Sequence, residues 1–172
     1  MTPNDDAALI DVLDRLRNRF FGKYRGVVTE VDADTLRIKA SVPAVLTDQP
    51  TGWCRPCVPY AGDGVGLAFL PERGAGVWIE FEGGDVSYPI WTGCFWHDGE
   101  QPPQAAAAVK VIVTRSGHSI LFDDDGVTIT ISDRNNNTVT LGPDGVTLQR
   151  GANSVAIGDA QVNVNDGALE VV

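Results

Sequence analysis

Apolar and polar residues alternate one by one through the last third of the chain, in short runs separated by glycine, asparagine and aspartate. Because successive side chains of a β-strand point to opposite faces, this pattern predicts a series of short strands, each with one apolar face. The segment has no obvious means of burying those faces alone. The apolar positions are Val111, Val113, Ile120, Phe122, Val127, Ile129, Ile131, Val139, Leu141, Val146, Leu148, Val155, Ile157, Val162, Val164, Leu169 and Val171.

The first residues predict an amphipathic helix from Asp5 to Phe21, within an N-terminal segment 1–22. Apolar residues recur there at helical spacing on one face, and Gly22 is a suitable stop. The stripe could cover either the neighbouring domain or a partner, and the pattern leaves both open. Its members are Leu9, Leu13, Leu16 and Phe20.

Residues 23–98 predict a second region of short strands joined by glycine-rich links such as 61–64 and 83–85. Many short strands with such links favour a small closed barrel, and a five-stranded OB-type barrel fits the length. The fold class is therefore predicted to be all-β apart from the N-terminal helix. The expected strands are Lys23–Asp32, Leu36–Ala40, Trp53–Tyr60, Gly66–Leu70, Val77–Phe81 and Tyr88–Trp96.

Residues 99–108 differ from both flanking regions, with Pro102-Pro103 followed by a run of alanines, and we interpret them as a linker. After the linker, Phe122 is the only aromatic residue, so segment 109–172 differs in amino-acid composition from the expected barrel. It is rich in valine, isoleucine, glycine, asparagine and aspartate.

The chain of 172 residues carries a net charge of −10, which disfavours nucleic acid and anionic membrane as partners. No run approaches the roughly 18 apolar residues of a membrane span. The start, Met1 to Asp6, is acidic where a signal peptide would be basic. We therefore expect synthesis in the cytoplasm and, if the protein leaves the cell, export by another route.

Several segments in 23–98 combine aromatic, proline and glycine residues in a distinctive order. They are Gly26-Val27-Val28, 53–62 (WCRPCVPYAG), 69–74 (FLPERG), 77–85 (VWIEFEGGD) and 89–96 (PIWTGCFW), followed later by 114–124 (TRSGHSILFDD). In this order and spacing they resemble the OB domain of phage baseplate assembly protein V and of VgrG-like central spike proteins of contractile injection systems. Segment 114–124 resembles the entry into that family's spike.

The resemblance implies that segment 109–172 is the shaft of a homotrimeric spike, in which three chains form an intertwined β-helix, a triangular β-prism. Each apolar face would then point to the shared axis, whereas a single-chain β-solenoid remains the alternative. The implied function is structural: the spike punctures the target envelope. The expected trimer core is Val127, Ile129, Ile131, Val139, Leu141, Val146, Leu148, Val155, Ile157, Val162 and Val164.

The resemblance also implies partners within a phage tail or injection particle. Fused hub domains are missing, which implies a separate tail-tube hub protein at the OB end. The stretch 166–172 has no histidine and implies a separate PAAR-type tip protein. No lysozyme domain follows the barrel, so we expect no catalytic residues and no enzyme. The alternative function is an OB-fold module that binds single-stranded nucleic acid or polysaccharide without a puncturing role.

The main chemical alternative is a zinc site. Cys54, Cys57, Cys94 and His97 form a formal Cys₃His set with the short spacings that structural zinc uses. Both pairs lie in expected strands, where alternation directs neighbouring side chains to different faces. We therefore favour free thiols over zinc or a disulfide, and expect no metal or cofactor.

Overall fold

The computed structural model describes residues 10, 12–13 and 18–171, and the chain divides into two units after Gly99. The first unit contains a short helix α1 (Pro43–Leu46) and a 3₁₀ turn at Glu82–Gly84. Its strands are β1 (Tyr24–Asp32), β2 (Arg37–Ser41), β3 (Arg55–Pro56), β4 (Ala61–Gly62), β5 (Val65–Gly66), β6 (Gly76–Phe81) and β7 (Pro89–Phe95).

The main sheet of this unit has the order β2-β1-β6-β7-β3, and β3 runs parallel to β7. Two hydrogen bonds bring the sheet back on itself. The Cys54 N–H donates to the Ile38 carbonyl at 2.8 Å, and the Cys57 N–H donates to the Trp91 carbonyl at 2.9 Å. Segment 54–57 thus ties β2 to β7, and the predicted OB-type barrel is confirmed.

The core of the first unit is filled from one face of each barrel strand. In β6, alternate residues Val77, Ile79 and Phe81 are buried, as the period of two requires. The first residue of that strand, residue 76, is a glycine, and the Cβ of any other residue there would lie 2.7 Å from the Phe95 ring. The buried apolar residues are Val28, Ile38, Ala40, Val42, Cys54, Val77, Ile79, Phe81 and Trp91.

Two of the expected barrel strands are wrong. Segment 53–60 contributes only β3 and one bridge at Cys54, because Pro56 and Pro59 lack the N–H that a ladder needs. In segment 66–70 only Gly66 belongs to a strand, β5, which forms a small separate hairpin with β4, and the Leu67 N–H adds one hydrogen bond to the Tyr60 carbonyl at 2.9 Å. Leu36, expected in a strand, lies in the β1–β2 turn with φ 53°.

The predicted N-terminal helix lies mostly outside the described residues, including Leu9 and Leu16. Residues 10, 12 and 13 are helical. The chain is no longer helical from Arg19, so the expected end at Phe21 is too late. The cause is that Phe20 joins the barrel: its N–H donates to the Gly84 carbonyl at 2.8 Å, and its ring packs edge-on against Phe81.

The second unit is a single eight-stranded antiparallel sheet in which every strand pairs with its neighbours in sequence. This meander confirms the all-β prediction. No helix in the described part of the chain is long and apolar enough to cross a membrane. The strands are β8 (Val109–Val113), β9 (Ser119–Asp123), β10 (Thr128–Ser132), β11 (Asn137–Gly142), β12 (Gly145–Arg150), β13 (Asn153–Ile157), β14 (Val162–Val164) and β15 (Leu169–Val171).

The turns of the meander are closed by side chains that bond to the backbone. In the β10–β11 turn, Asp133 Oδ1 accepts the N–H groups of Asn135 at 2.7 Å and Asn137 at 2.9 Å, while Oδ2 accepts the Asn137 side-chain amide. These bonds, those from Asn137 foremost, lower the pKa of Asp133 to about 2. Asn136 takes the left-handed φ of 58° that the tight turn requires.

Candidate functional site: the apolar face of the second unit

One face of the eight-stranded sheet carries two continuous rows of side chains that are all apolar except Lys110. Residues opposite each other in an antiparallel pair lie on the same face, so the pairing register identifies each row. The first row is Lys110, Phe122, Ile129, Leu141, Val146, Ile157, Val162 and Val171. The second row is Ile112, Ile120, Ile131, Val139, Leu148, Val155, Val164 and Leu169. We call these two rows the apolar band.

From β10 to β12 the opposite face is polar and rich in threonine, whereas Leu121 and Val111 occupy it in β9 and β8. Across the middle of the sheet, Thr130, Thr140 and Thr147 occupy successive positions of one row, which continues to Ala156 and Asn163. Hydroxyl-bearing, β-branched threonine suits a strand surface in contact with water. The sheet therefore has one face suited to solvent and one that is not.

Within the second unit, no described element covers the apolar band. Every residue of the buried core belongs to the first unit. None of the band's side chains is fully buried: Ile131 is 47% exposed, Leu148 45% and Leu169 58%, while Ile120 and the valines of β11 to β14 are partly buried. A contiguous apolar surface of this extent is unusual in a monomer and marks an interaction surface.

The structure places every expected trimer-core residue in the band except Val127. Val127 lies in the turn before β10, with φ 51° and 67% exposure, so its expected place in a strand is wrong. The turn ends there because Asp123 Oδ1 accepts the Gly126 N–H, which closes the loop around residues 124–127. Whether the remaining residues form a trimer core stays a prediction.

The band extends further than the expected core at both ends. Its additional apolar members are Ile112, Ile120, Phe122, Leu169 and Val171, which continue the two rows. Val111 and Val113, which were expected on the apolar face, lie on the opposite face because Ile112 is the residue that pairs with Ile120. The sequence signal that could have given the correct face of β8 is the alternation of Ile120 and Phe122 in the neighbouring strand β9.

The residues of the alternative zinc set do not form a metal site among the described residues. Cys54 is fully buried in the barrel core, with its Sγ 3.1 Å from Thr51 Oγ1, whereas Cys57 and Cys94 are exposed. Burial raises the pKa of the Cys54 thiol above its ordinary value. Within residues 18–171, no three histidine, cysteine, aspartate or glutamate side chains cluster as a metal site would require.

The barrel has an apolar cavity of its own, of about 400 Å³, beside the β4–β5 hairpin. Trp91 lies at its inner side, and exposed Tyr60 and Phe69 lie around it. The lining contains no lysine or arginine, so it offers no partner for a nucleic-acid phosphate. The cavity therefore gives no support to the alternative of a nucleic-acid-binding OB module.

The two units match two known protein families. Residues 24–96, which contain the barrel strands, match the family described as the type VI secretion system/phage-baseplate injector OB domain. Residues 109–170, which contain the apolar band, match the family described as the phage baseplate V C-terminal trimerisation domain. A comparison with curated proteins gives no match.

Proposed function

The chain belongs to the phage baseplate V family, and from this premise we propose that it is the homotrimeric central spike of a contractile tail or injection system. The family assigns a structural baseplate role and trimerisation. Our proposal adds the arrangement of the trimer, its puncturing action and its partners.

The observation that carries the proposal is the uncovered apolar band. If three copies turn their bands to one axis, each chain covers the apolar side chains that it cannot cover alone. Covering the part of each side chain that is exposed contributes up to about 1 kcal/mol per residue, and hence on the order of 10 kcal/mol per chain. That gain is comparable with the whole stability of a small domain, so it supports a β-prism closed by three chains.

From β9 to β14, the size of the residue pair that each strand contributes to the band decreases, which supports a shaft that tapers over these strands; the β15 pair, Leu169 and Val171, is larger again. β9 contributes Ile120 and Phe122, the bulkiest pair, and β14 contributes Val162 and Val164, the smallest. Between them, β10 contributes two isoleucines, and β11 to β13 each contribute a valine with leucine or isoleucine. Because a packed interior leaves few voids, smaller side chains draw the chains closer to the axis.

Stiffness would come from the hydrogen-bonded ladder. Eight strands pair without interruption, and at about 4.8 Å per strand the sheet is roughly 34 Å long. Bending such a sheet requires many hydrogen bonds to distort together, which suits a part that is pushed through an envelope. A stiff ladder of this kind suits a puncturing role, and puncturing requires no catalytic step.

We further propose two protein partners and one target. A tail-tube hub protein binds at the barrel unit, and a PAAR-type tip protein binds at β15, where exposed Leu169 and Val171 offer apolar surface. The target is a cell envelope, reached when the particle fires. We place the protein in a phage tail or a related particle, following the family to which it belongs.

Sedimentation equilibrium of the full chain tests the trimer. We expect a mass of three protomers at micromolar concentration, because the apolar band is covered from water only in the assembly. A single-chain mass would refute the proposal. Cryo-EM of the trimer would then show whether the bands meet at a common axis or lie elsewhere. Hydrolysis of purified peptidoglycan by the chain would contradict the structural role.

A further inference from the structure

Strand β8 is an edge of the eight-stranded sheet. It pairs with β9 on one side, and in the described chain no strand pairs with its other side. Its five residues are Val-Lys-Val-Ile-Val, which is a sequence of high β-propensity without proline or glycine. The backbone of Val109 is hydrogen-bonded to Ala106 in both directions, at 3.1 Å each, so the edge is open to another strand only beyond Val109.

Such an edge is a hazard for a protein that acts as a discrete particle component. Apolar, β-branched edge strands act as templates for pairing with other chains, which leads to misassembly or aggregation. Ile112 is 45% exposed and Val113 is 37% exposed, so side chains on both faces of this strand are available for such contact. Natural proteins often protect these edges with a charged residue, especially lysine.

Lys110 is the only charged residue in the apolar band, across the described strands. It stands opposite Phe122 in the register, on the face where every other member of the two rows is apolar. Its ammonium forms an ion pair with Asp124, whose own N–H donates to the Ala108 carbonyl at 2.9 Å. The charge is thus held beside the edge strand instead of moving freely in solvent.

We propose that Lys110, positioned by Asp124, protects the β8 edge against pairing with β8 of a second copy. A parallel, in-register pairing would place two Lys110 ammonium groups side by side. An antiparallel pairing centred on Val111 would place each Lys110 opposite Ile112 of the other copy, within a continuous apolar row. The first arrangement brings two like charges together, and the second removes water from an ammonium that would lie against apolar side chains, so both disfavour edge pairing.

This role does not rest on the trimer, because the edge is present in each chain by itself. The substitution Lys110→Val removes the charge and completes the apolar row. Lys110→Thr removes the charge without adding apolar surface. This variant tests the role of the charge if the valine variant fails to fold. Lys39→Val is the matched control, since Lys39 is also a strand lysine in an ion pair, with Glu30, but lies on the barrel.

The full-length variants are compared by sedimentation velocity over a range of concentrations, with circular dichroism to verify folding. We expect the weight-average mass of Lys110→Val and Lys110→Thr to rise about twofold or more above that of the wild type, since edge pairing joins two assemblies. Lys39→Val should keep the wild-type mass. Wild-type mass at all concentrations for both Lys110 variants would overturn the proposal, as would equal association of Lys39→Val.

Discussion

Two adjacent residues of β10 give the sharpest test of which face of the sheet is covered. Ile129 belongs to the apolar band and lies between Phe122 and Leu141 in the register. Thr130 points to the other face, beside Thr140. The substitutions Ile129→Asp and Thr130→Asp introduce the same carboxylate one residue apart, so strand, charge and solvent conditions are matched.

The expected effects differ because only one carboxylate becomes buried. In a trimer closed on the band, each Ile129→Asp copy loses the apolar burial that assembly adds, about 1 kcal/mol, and gains an unpaired buried charge that costs several kcal/mol. Over three copies the loss is roughly 15–20 kcal/mol, more than the 5–15 kcal/mol that stabilises a typical domain. In a separate chain Ile129 is 37% exposed, so the carboxylate can stay hydrated there.

The assay combines sedimentation equilibrium with tryptophan fluorescence. All four tryptophans lie before the linker, so their emission reports on the barrel alone. We expect Ile129→Asp to sediment as a single chain with unchanged tryptophan emission, and Thr130→Asp to sediment as a trimer. If the two variants behave alike, the assignment of covered and exposed faces is wrong.

Two further predictions concern a turn and the barrel. Because the pKa of Asp133 is lowered to about 2, its carboxylate stabilises the fold above pH ~4, and this contribution disappears as the pH falls through about 2. The difference in Tm between the wild type and Asp133→Asn should therefore shrink from pH 5 to pH 2, and a constant difference would contradict it. Gly76→Ala places a Cβ 2.7 Å from the Phe95 ring and should lower the free energy of unfolding by about 1–3 kcal/mol. Urea titration measures this loss, with Gly52→Ala, which meets no atom within 4 Å, as a control expected to resemble the wild type.

The sequence predicted the second unit well where alternation alone determines the face. From β10 to β14, each strand has two apolar residues two positions apart, and turn residues mark its ends. The prediction failed in β8, where valines flank both Lys110 and Ile112. With apolar residues at four of five positions, the periodicity has no clear phase, and only pairing with β9 shows that Ile112 belongs to the band.

The barrel was predictable as a class but less so in its parts. The long strands β1, β6 and β7 follow from alternation and were found nearly at their true bounds. The length of β3 was overestimated, because the composition of segment 53–60 does not show where a proline interrupts the hydrogen-bonded ladder. The cysteines illustrate the same limit, since only tertiary packing decides that Cys54 is buried whereas Cys57 is exposed.

The meander of the second unit also has a consequence for how the protein forms. Each strand pairs only with its neighbours in sequence, so hairpins can close one after another over short loops, which is a fast process. The barrel instead depends on distant pairings, such as β1 with β6 and β3 with β7. If the sheet is stable only in the trimer, association becomes its slow step. Refolding of the barrel should then be independent of protein concentration, while the second unit should regain its structure faster as the concentration rises.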